Sequence, residues 1–96
     1  MNGPGFSVVT TSHFDRLLKK LVRVHSDLMA RFEEAVAILS EDPYNKSRQY
    51  AIKKLEGVTA GDGQYRLRSG RFRFRYDVGG REVVLHYCGL RREETY

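Results

Sequence analysis

The chain has 96 residues, of which 30% are charged, and it carries a formal net charge of +5 with a pI of about 9.6. This length suits one domain with a modest core and is too short for separate catalytic and regulatory modules. The single cysteine, Cys88, excludes an internal disulfide and a metal site built from several cysteines.

The excess of positive charge favours an acidic partner, either nucleic acid or an acidic protein. The sequence contains neither a run of about eighteen apolar residues nor a signal-peptide pattern, so we expect a cytoplasmic protein with no membrane partner. Residues 1–5 contain two glycines and a proline and offer nothing to bury, which predicts a flexible end before a single domain over residues 6–96.

The first half of the chain predicts a strand followed by two helices that form a hairpin. Residues 6–11 have the composition of a strand, and Ser12 then offers a hydroxyl as the N-cap of a helix. The segment His25-Ser26-Asp27 interrupts the helical spacing and offers a second cap, and Pro43 ends the second helix. The apolar residues at helical spacing are Phe14, Leu17, Leu18, Leu21 and Val22, and then Leu28, Phe32, Ala35, Val36 and Leu39.

Residues 44–64 predict a loop, because they are rich in polar residues and glycine. Within this loop, Lys53-Lys54-Leu55 suggests a short irregular piece with the leucine buried and the two lysines outside. No periodic pattern in this stretch indicates a regular element of useful length.

Residues 65–76 alternate arginine with apolar or aromatic side chains, which is the period of a β-strand. A two-residue turn at Ser69-Gly70, where glycine is free to take a positive φ, folds this stretch into a hairpin. One face of the hairpin is then apolar and the other consists of arginine. The predicted cross-strand pairs are Leu67 with Phe72, Arg66 with Arg73, and Arg68 with Arg71.

A second two-residue turn, at Gly79-Gly80, extends the pairing into the next strand. We therefore predict an α+β fold with an N-terminal strand, a helical hairpin and a three-stranded antiparallel meander, all in one sheet packed on the helices. On the apolar face, the predicted pairs are Phe74 with Leu85 and Phe72 with Tyr87. On the polar face, they are Arg75 with Val84, Arg73 with His86, and Arg71 with Cys88.

The polar face of the predicted meander carries five arginines and has no acidic residue before Asp77. Like charges directly opposite each other destabilise a sheet by a few tenths of a kcal/mol up to about 1 kcal/mol. The arginines therefore either spread into water, as on many solvated sheet faces, or bind an anion that offsets their repulsion. An ordinary solvated sheet face carries both positively and negatively charged residues, whereas this part of the sequence carries only positive ones.

The order of these segments resembles the RelE/ParE superfamily, the bacterial and archaeal toxins of type II toxin–antitoxin systems. The resemblance covers nearly the whole chain after Gly5, from the first strand and the helical hairpin to the tail. Its specific residues are Lys53-Lys54-Leu55-Glu56-Gly57, then Tyr65-Arg66-Leu67-Arg68-Ser69-Gly70-Arg71-Phe72-Arg73, and finally Arg91-Arg92 with Tyr96.

This resemblance implies the RelE-like microbial ribonuclease fold and a toxin held inactive in a hetero-oligomer with a cognate antitoxin. In the RelE branch, such a toxin cleaves mRNA in the ribosomal A site without a metal or another cofactor. Two alternatives stay open, because the ParE branch uses the same scaffold to poison DNA gyrase, and an inactive relative would only bind its antitoxin.

The resemblance also assigns site residues. Arg66 and Arg68 take the places of two basic strand residues of the RelE active site, and Arg73 takes the place of its central arginine. Arg92 matches the basic residue beyond the last strand, and Tyr96 matches the terminal tyrosine. Neighbouring basic residues expected to bind RNA phosphates are Lys53, Lys54, Arg71, Arg75 and Arg91.

Cleavage of RNA without a metal directs the 2′-hydroxyl against the adjacent phosphate and requires a base, an acid and cations. Guanidinium groups suit the cationic role, but arginine stays protonated and makes a poor base where the RelE branch commonly has lysine. Tyr96 is one candidate for proton transfer, and His86 is another because the predicted register places it beside Arg73. His13 and His25 lie near helix starts and are expected to be structural, and no spacing indicates a metal site.

Overall fold

A five-stranded sheet with two helices packed on one face organises the chain in the computed structural model, which describes residues 5–91. The helices cover the apolar side chains of the sheet, as the alternating pattern predicts. In chain order the elements are β1 (Ser7–Thr10), α1 (Ser12–Val22), α2 (Leu28–Glu41), β2 (Ile52–Lys54), β3 (Tyr65–Ser69), β4 (Phe72–Gly79) and β5 (Glu82–Leu90).

The strands lie in the order β1-β5-β4-β3-β2, so the predicted meander is the centre of a wider sheet. β1 runs parallel to β5, and the other neighbouring pairs are antiparallel. The prediction of an irregular piece near Lys53 is wrong, because this stretch forms the edge strand β2 and pairs with β3. A strand of three residues is too short to show a period in the sequence.

The helix starts differ from the predicted ones in their caps. The N-cap of α1 is Thr11 rather than Ser12, and its hydroxyl accepts a hydrogen bond of 3.0 Å from the backbone N–H of Phe14. Asp27 precedes α2 as expected, but its carboxylate accepts bonds from the guanidinium of Arg71 instead of capping the helix. This contact joins the helical hairpin to the turn between β3 and β4.

The core lies between the helices and the apolar face of the sheet. Tyr76 is fully buried, its hydroxyl donates a 2.7 Å hydrogen bond to the carbonyl of Pro43, and burial raises its pKa above the usual value for tyrosine. The predicted burial of the apolar side chains of β3 and β4 is confirmed. The buried apolar residues include Phe14, Leu28, Ala35 and Leu39 from the helices and Leu67, Phe72, Phe74, Tyr76, Val83, Leu85 and Cys88 from the sheet.

The turn between β3 and β4 lies one residue later than predicted, at Gly70-Arg71. Gly70 has a φ of +60° at the first turn position, where glycine is favoured in two-residue hairpins. Ser69 therefore stays in the strand, and its hydroxyl donates a 2.7 Å hydrogen bond to Glu34 on α2. The pairing moves by two residues, to Leu67 with Phe74, Arg68 with Arg73, and Arg66 with Arg75, so each side chain keeps its predicted face.

The pairing of β4 with β5 also begins later, after a turn at Gly80-Arg81, and it contains a β-bulge. Tyr76 pairs with Leu85, but Arg75 pairs with Tyr87, so β5 carries one extra residue at this point. Beyond the bulge every side chain of β5 lies on the face opposite to the predicted one.

None of the five predicted pairs of β4 with β5 forms. Leu85 pairs with Tyr76 and Val84 with Asp77, although both keep their predicted faces.

The other three pairs fail at or beyond the bulge. Tyr87 lies on the polar face rather than opposite Phe72, and His86 is not the partner of Arg73. Cys88 lies in the core opposite Phe74, where burial raises the pKa of its thiol to about 12.

Phe74→Ala is expected to destabilise the fold by about 3–5 kcal/mol, because Phe74 is fully buried and its removal leaves a cavity. Urea unfolding measures this loss. The matched control is Arg73→Ala on the adjacent residue, which points to the other face and should cost about 1 kcal/mol or less. Equal losses for the two variants would contradict the assignment of the faces.

Candidate phosphate-binding face

The face of the sheet opposite the helices carries a group of basic side chains on neighbouring strands. Arg68 pairs directly with Arg73, and Arg66 stands between Arg75 on β4 and Lys53 on β2. We call these five residues the arginine face. The acidic residues of β4 and β5 lie toward the other end of the strands, so the positive charges here face one another across the ladder.

The five residues of the arginine face differ in burial. Arg66, Arg68 and Arg73 are half-buried, whereas Lys53 at the sheet edge is exposed. Arg75 is only 6% exposed, and its Nε and Nη2 atoms donate bonds of 3.1 and 2.9 Å to the carbonyl of Gly63. Arg75 therefore secures the loop before β3, and the other four residues make up the rest of the arginine face.

Asp77 holds the same loop from the next position on this face of β4. Its carboxylate accepts backbone bonds of 2.9, 3.0 and 3.0 Å from Gly61, Gly63 and Gln64, and it lies 2.9 Å from Nε2 of His86. Burial alone would raise the pKa of Asp77, but these three N–H donors and the nearby histidine lower it below the usual value.

His86 is thus placed in the bulge against Asp77. The proposed proton-transfer role of His86 depended on a position opposite Arg73, and Gly89 takes that position instead. His86 is held by the half-buried carboxylate of Asp77 and forms a contact between β5 and β4. The loop before β3 depends on the same carboxylate.

Two of the predicted phosphate-binding residues lie on the helix side of the sheet. Arg71, in the turn, forms a 2.9 Å ion pair with Asp27 and packs over the ring of Phe72. Lys54 lies 5.8 Å from the ring centre of Tyr65, on the same side as the core. These contacts remove both side chains from the arginine face.

The residues after β5 are described only as far as Arg91. This residue is exposed, and its backbone N–H donates a 2.9 Å bond to the carbonyl of Arg71, which brings it beside the turn between β3 and β4. Arg91 was predicted to bind RNA phosphate, whereas Arg92 and Tyr96, which were assigned to catalysis, lie outside the described residues. Their roles stay predictions.

Tyr87 and Asp77 are two residues of this face that the sequence did not single out. Tyr87 is half-buried and lines an open cleft of about 410 Å³ beside the arginine face. Asp77 was detectable in principle, because aspartate is depleted within strands and the glycine-rich loop preceding β3 offers N–H donors. The other residues lining the cleft are Thr11, His13, Gly61, Asp62, Arg75 and His86.

Within residues 5–91, no three histidine, cysteine, aspartate or glutamate side chains come together as metal ligands. No helix in this described part of the chain combines the length and the apolar composition needed to cross a membrane.

No protein-family model matches the chain, and no curated protein sequence matches it. Solved structures with the same fold include the archaeal RelE-RelB complex from Pyrococcus horikoshii OT3, which is 26% identical over 94% of this chain and 99% of that chain, with a TM-score of 0.67. The RelB-RelE antitoxin-toxin complex from Methanococcus jannaschii is 20% identical over 88% of this chain and 91% of that chain, with a TM-score of 0.55. The chain therefore has a RelE-like toxin fold, as the resemblance implied.

Asp77→Asn is expected to destabilise the protein by about 1.5–3 kcal/mol at pH 7, because hydrogen bonds to a charged acceptor are lost or weakened. Amide hydrogen exchange at Gly61, Gly63 and Gln64 should become faster. Asp62→Asn is the control, since Asp62 is in the same loop but exposed.

The pH dependence of this effect has a definite sign. The folded-state pKa of Asp77 is lowered, so its contribution is complete above about pH 4, the usual range of the unfolded carboxyl, and is lost as the pH falls through the folded value. Urea unfolding from pH 7 to pH 2 should show a constant difference between wild type and Asp77→Asn down to about pH 4 and a shrinking difference below it. A difference that stays constant down to pH 2 would contradict the assignment.

Proposed function

We propose that the chain is the toxin of a toxin–antitoxin pair and that it cleaves mRNA in the ribosomal A site without a metal. The observation that carries this proposal is the arginine face on a RelE-like fold, with Arg68 and Arg73 directly paired and Arg66 beside them. An RNA backbone supplies the anion that offsets the repulsion among these side chains.

Arginine fits the role of binding and stabilising the reacting phosphate. A guanidinium presents two parallel N–H donors to two phosphate oxygens, and it keeps its charge as the negative charge of the phosphate increases. Arg73 lies on the central strand β4 with Arg68 on one side, so we assign the contact with the scissile phosphate to Arg73. Arg66 and Arg68 lie beside it on β3, and Arg92 keeps the role that the family resemblance gives it.

Proton transfer needs a different kind of residue. His86 is turned to Asp77, and the arginines keep their protons, so neither supplies a base at the reacting oxygen. Tyr96 keeps the role that the family resemblance gives it.

The partner follows from the two structural neighbours, both of which are complexes of RelE with RelB. We propose that a cognate antitoxin binds this chain in a hetero-oligomer. An acidic, amphipathic segment of the antitoxin would match the basic surface and neutralise the toxin.

A second candidate function is binding without chemistry, as in a poison of DNA gyrase or an inactive antitoxin-binding relative. The specific observation in its favour is that β3 presents Arg66 and Arg68, where lysines of lowered pKa would serve as bases. Incubation of the purified protein with translating ribosomes, followed by mapping of mRNA ends, separates the two functions. Uncut mRNA together with poisoned gyrase would exclude the ribonuclease.

Arg73→Ala is expected to lower the rate of mRNA cleavage by about a hundredfold or more, the usual cost of losing one donor to a developing charge. The fold should persist, because the side chain points away from the core. The control is Arg81→Ala, which removes the same charge at the exposed turn before β5. Unchanged cleavage in Arg73→Ala, or its unfolding, would overturn the assignment.

Lys53 and Lys54 are adjacent in sequence but lie on opposite faces of the sheet, which makes them a matched pair. Lys53→Ala should reduce cleavage about fivefold at low salt, since one charge contact in water is worth about 1 kcal/mol. The difference should shrink as salt screens the contact. Lys54→Ala should cleave like wild type, and the same loss in both variants would indicate a general charge effect.

A further inference from the structure

The β-bulge brings a tyrosine onto the arginine face. Tyr87 is the cross-strand partner of Arg75, and Gly89, two residues further on the same face, is the partner of Arg73. Without the extra residue in β5, Tyr87 would lie in the core and the phenol would be out of reach of a ligand.

The phenol of Tyr87 extends along the strand over Gly89. A Cβ atom placed on Gly89 would overlap the Tyr87 hydroxyl and would lie 2.9 Å from its Cζ. The backbone of Gly89 does not have the positive φ that favours glycine, so the lack of a side chain matters here for space. Gly89 leaves the room in which the hydroxyl of Tyr87 lies.

This position brings the hydroxyl to the level of Arg73. Directly opposite residues of an antiparallel pair have Cα atoms about 4.5–5.5 Å apart, and Gly89 is directly opposite Arg73. The half-buried Tyr87 also lines the 410 Å³ cleft at the margin of the face. A phosphate held by Arg73 is therefore next to a phenol.

We propose that Tyr87 is the general acid of the cleavage reaction, an inference that rests on the proposed function. The 2′-oxygen loses its proton to a base and forms a bond to phosphorus, and the bond between phosphorus and the 5′-oxygen breaks. Tyr87 gives its hydroxyl proton to that departing oxygen, which leaves as a free 5′-hydroxyl. The products are a 2′,3′-cyclic phosphate and the 5′-hydroxyl, and the tyrosine then regains a proton from water.

Tyr87 and the arginines have different roles, because their side chains differ in whether they release a proton. A guanidinium donates hydrogen bonds but does not release its proton, whereas a phenol is both a donor and a group that exchanges a proton. Arg73 stabilises the charge on the non-bridging oxygens, and the neighbouring hydroxyl supplies the proton for the bridging one.

Tyr87→Phe tests the proposal, because it removes the hydroxyl and keeps the ring. On ribosomes programmed with an ordinary mRNA, cleavage should fall by about a hundredfold or more. On an mRNA with sulfur in place of the 5′-oxygen at the scissile bond, the variant should cleave within a few-fold of wild type, since a thiolate leaves without a proton. Equal losses on both substrates, or no loss on the ordinary one, would overturn the role.

Gly89→Ala gives a second, independent test. The added Cβ displaces the phenol, so cleavage should fall as it does in Tyr87→Phe while urea unfolding shows a folded protein. In a Tyr87→Ala background, the same change should cause no further loss, because the ring it displaces is absent. A further loss in that background would overturn the positioning role of Gly89.

Different results would overturn the ribonuclease function and the role of Tyr87. A wild-type protein that leaves mRNA uncut would overturn the ribonuclease function and the role of Tyr87 with it. A wild-type protein that cleaves, with Tyr87→Phe and Gly89→Ala equally active, would overturn the role of Tyr87 alone.

Discussion

Burial of the aromatic residues of β4 against the helices determines which way every other side chain of that strand points. Phe72, Phe74 and Tyr76 are fully buried, and each such side chain contributes about 1.5–3 kcal/mol. The repulsion of one arginine pair on the opposite face costs less than about 1 kcal/mol. The core therefore holds the arginines together, and a surface that binds anions results from packing on the other side of the sheet.

The parts of the fold that follow from this packing were predictable from residue types alone. The two helices, the buried face of β3 and β4, and the facing of Arg66, Arg68 and Arg73 depend only on periods of 3.6 and 2. The turns lie one residue later than expected, which moves the pairing by two residues and leaves the faces unchanged. The strand β2 has three residues and two lysines, so it has no pattern of its own, and its pairing with β3 is a tertiary effect.

The parts of the candidate site that depend on the alternation of side chains along a strand were predictable from the sequence. The parts that depend on contacts between residues distant in the sequence were not. The bulge shifts the pairing of β5 by one residue. This shift changes the positions of His86, Tyr87 and Cys88 relative to β4. Arg71 is drawn to the helices by Asp27, which is 44 positions away in the chain. Arg75 and Asp77 hold the loop before β3 through hydrogen bonds to Gly63 and Gln64. The sequence of β4 alone does not reveal these partners.

The bulge has a consequence for the comparison of related chains. Because it inserts one residue within β5, an alignment that matches a bulged strand to a regular one without a gap equates residues on opposite faces. A thiol or an aliphatic core residue would then be aligned with a phenol on the arginine face. The number of residues between the turn at Gly80-Arg81 and Gly89 therefore decides which side chains of β5 lie on the arginine face. Insertion or deletion of one codon in this segment would replace the side chains on that face with those that now lie in the core.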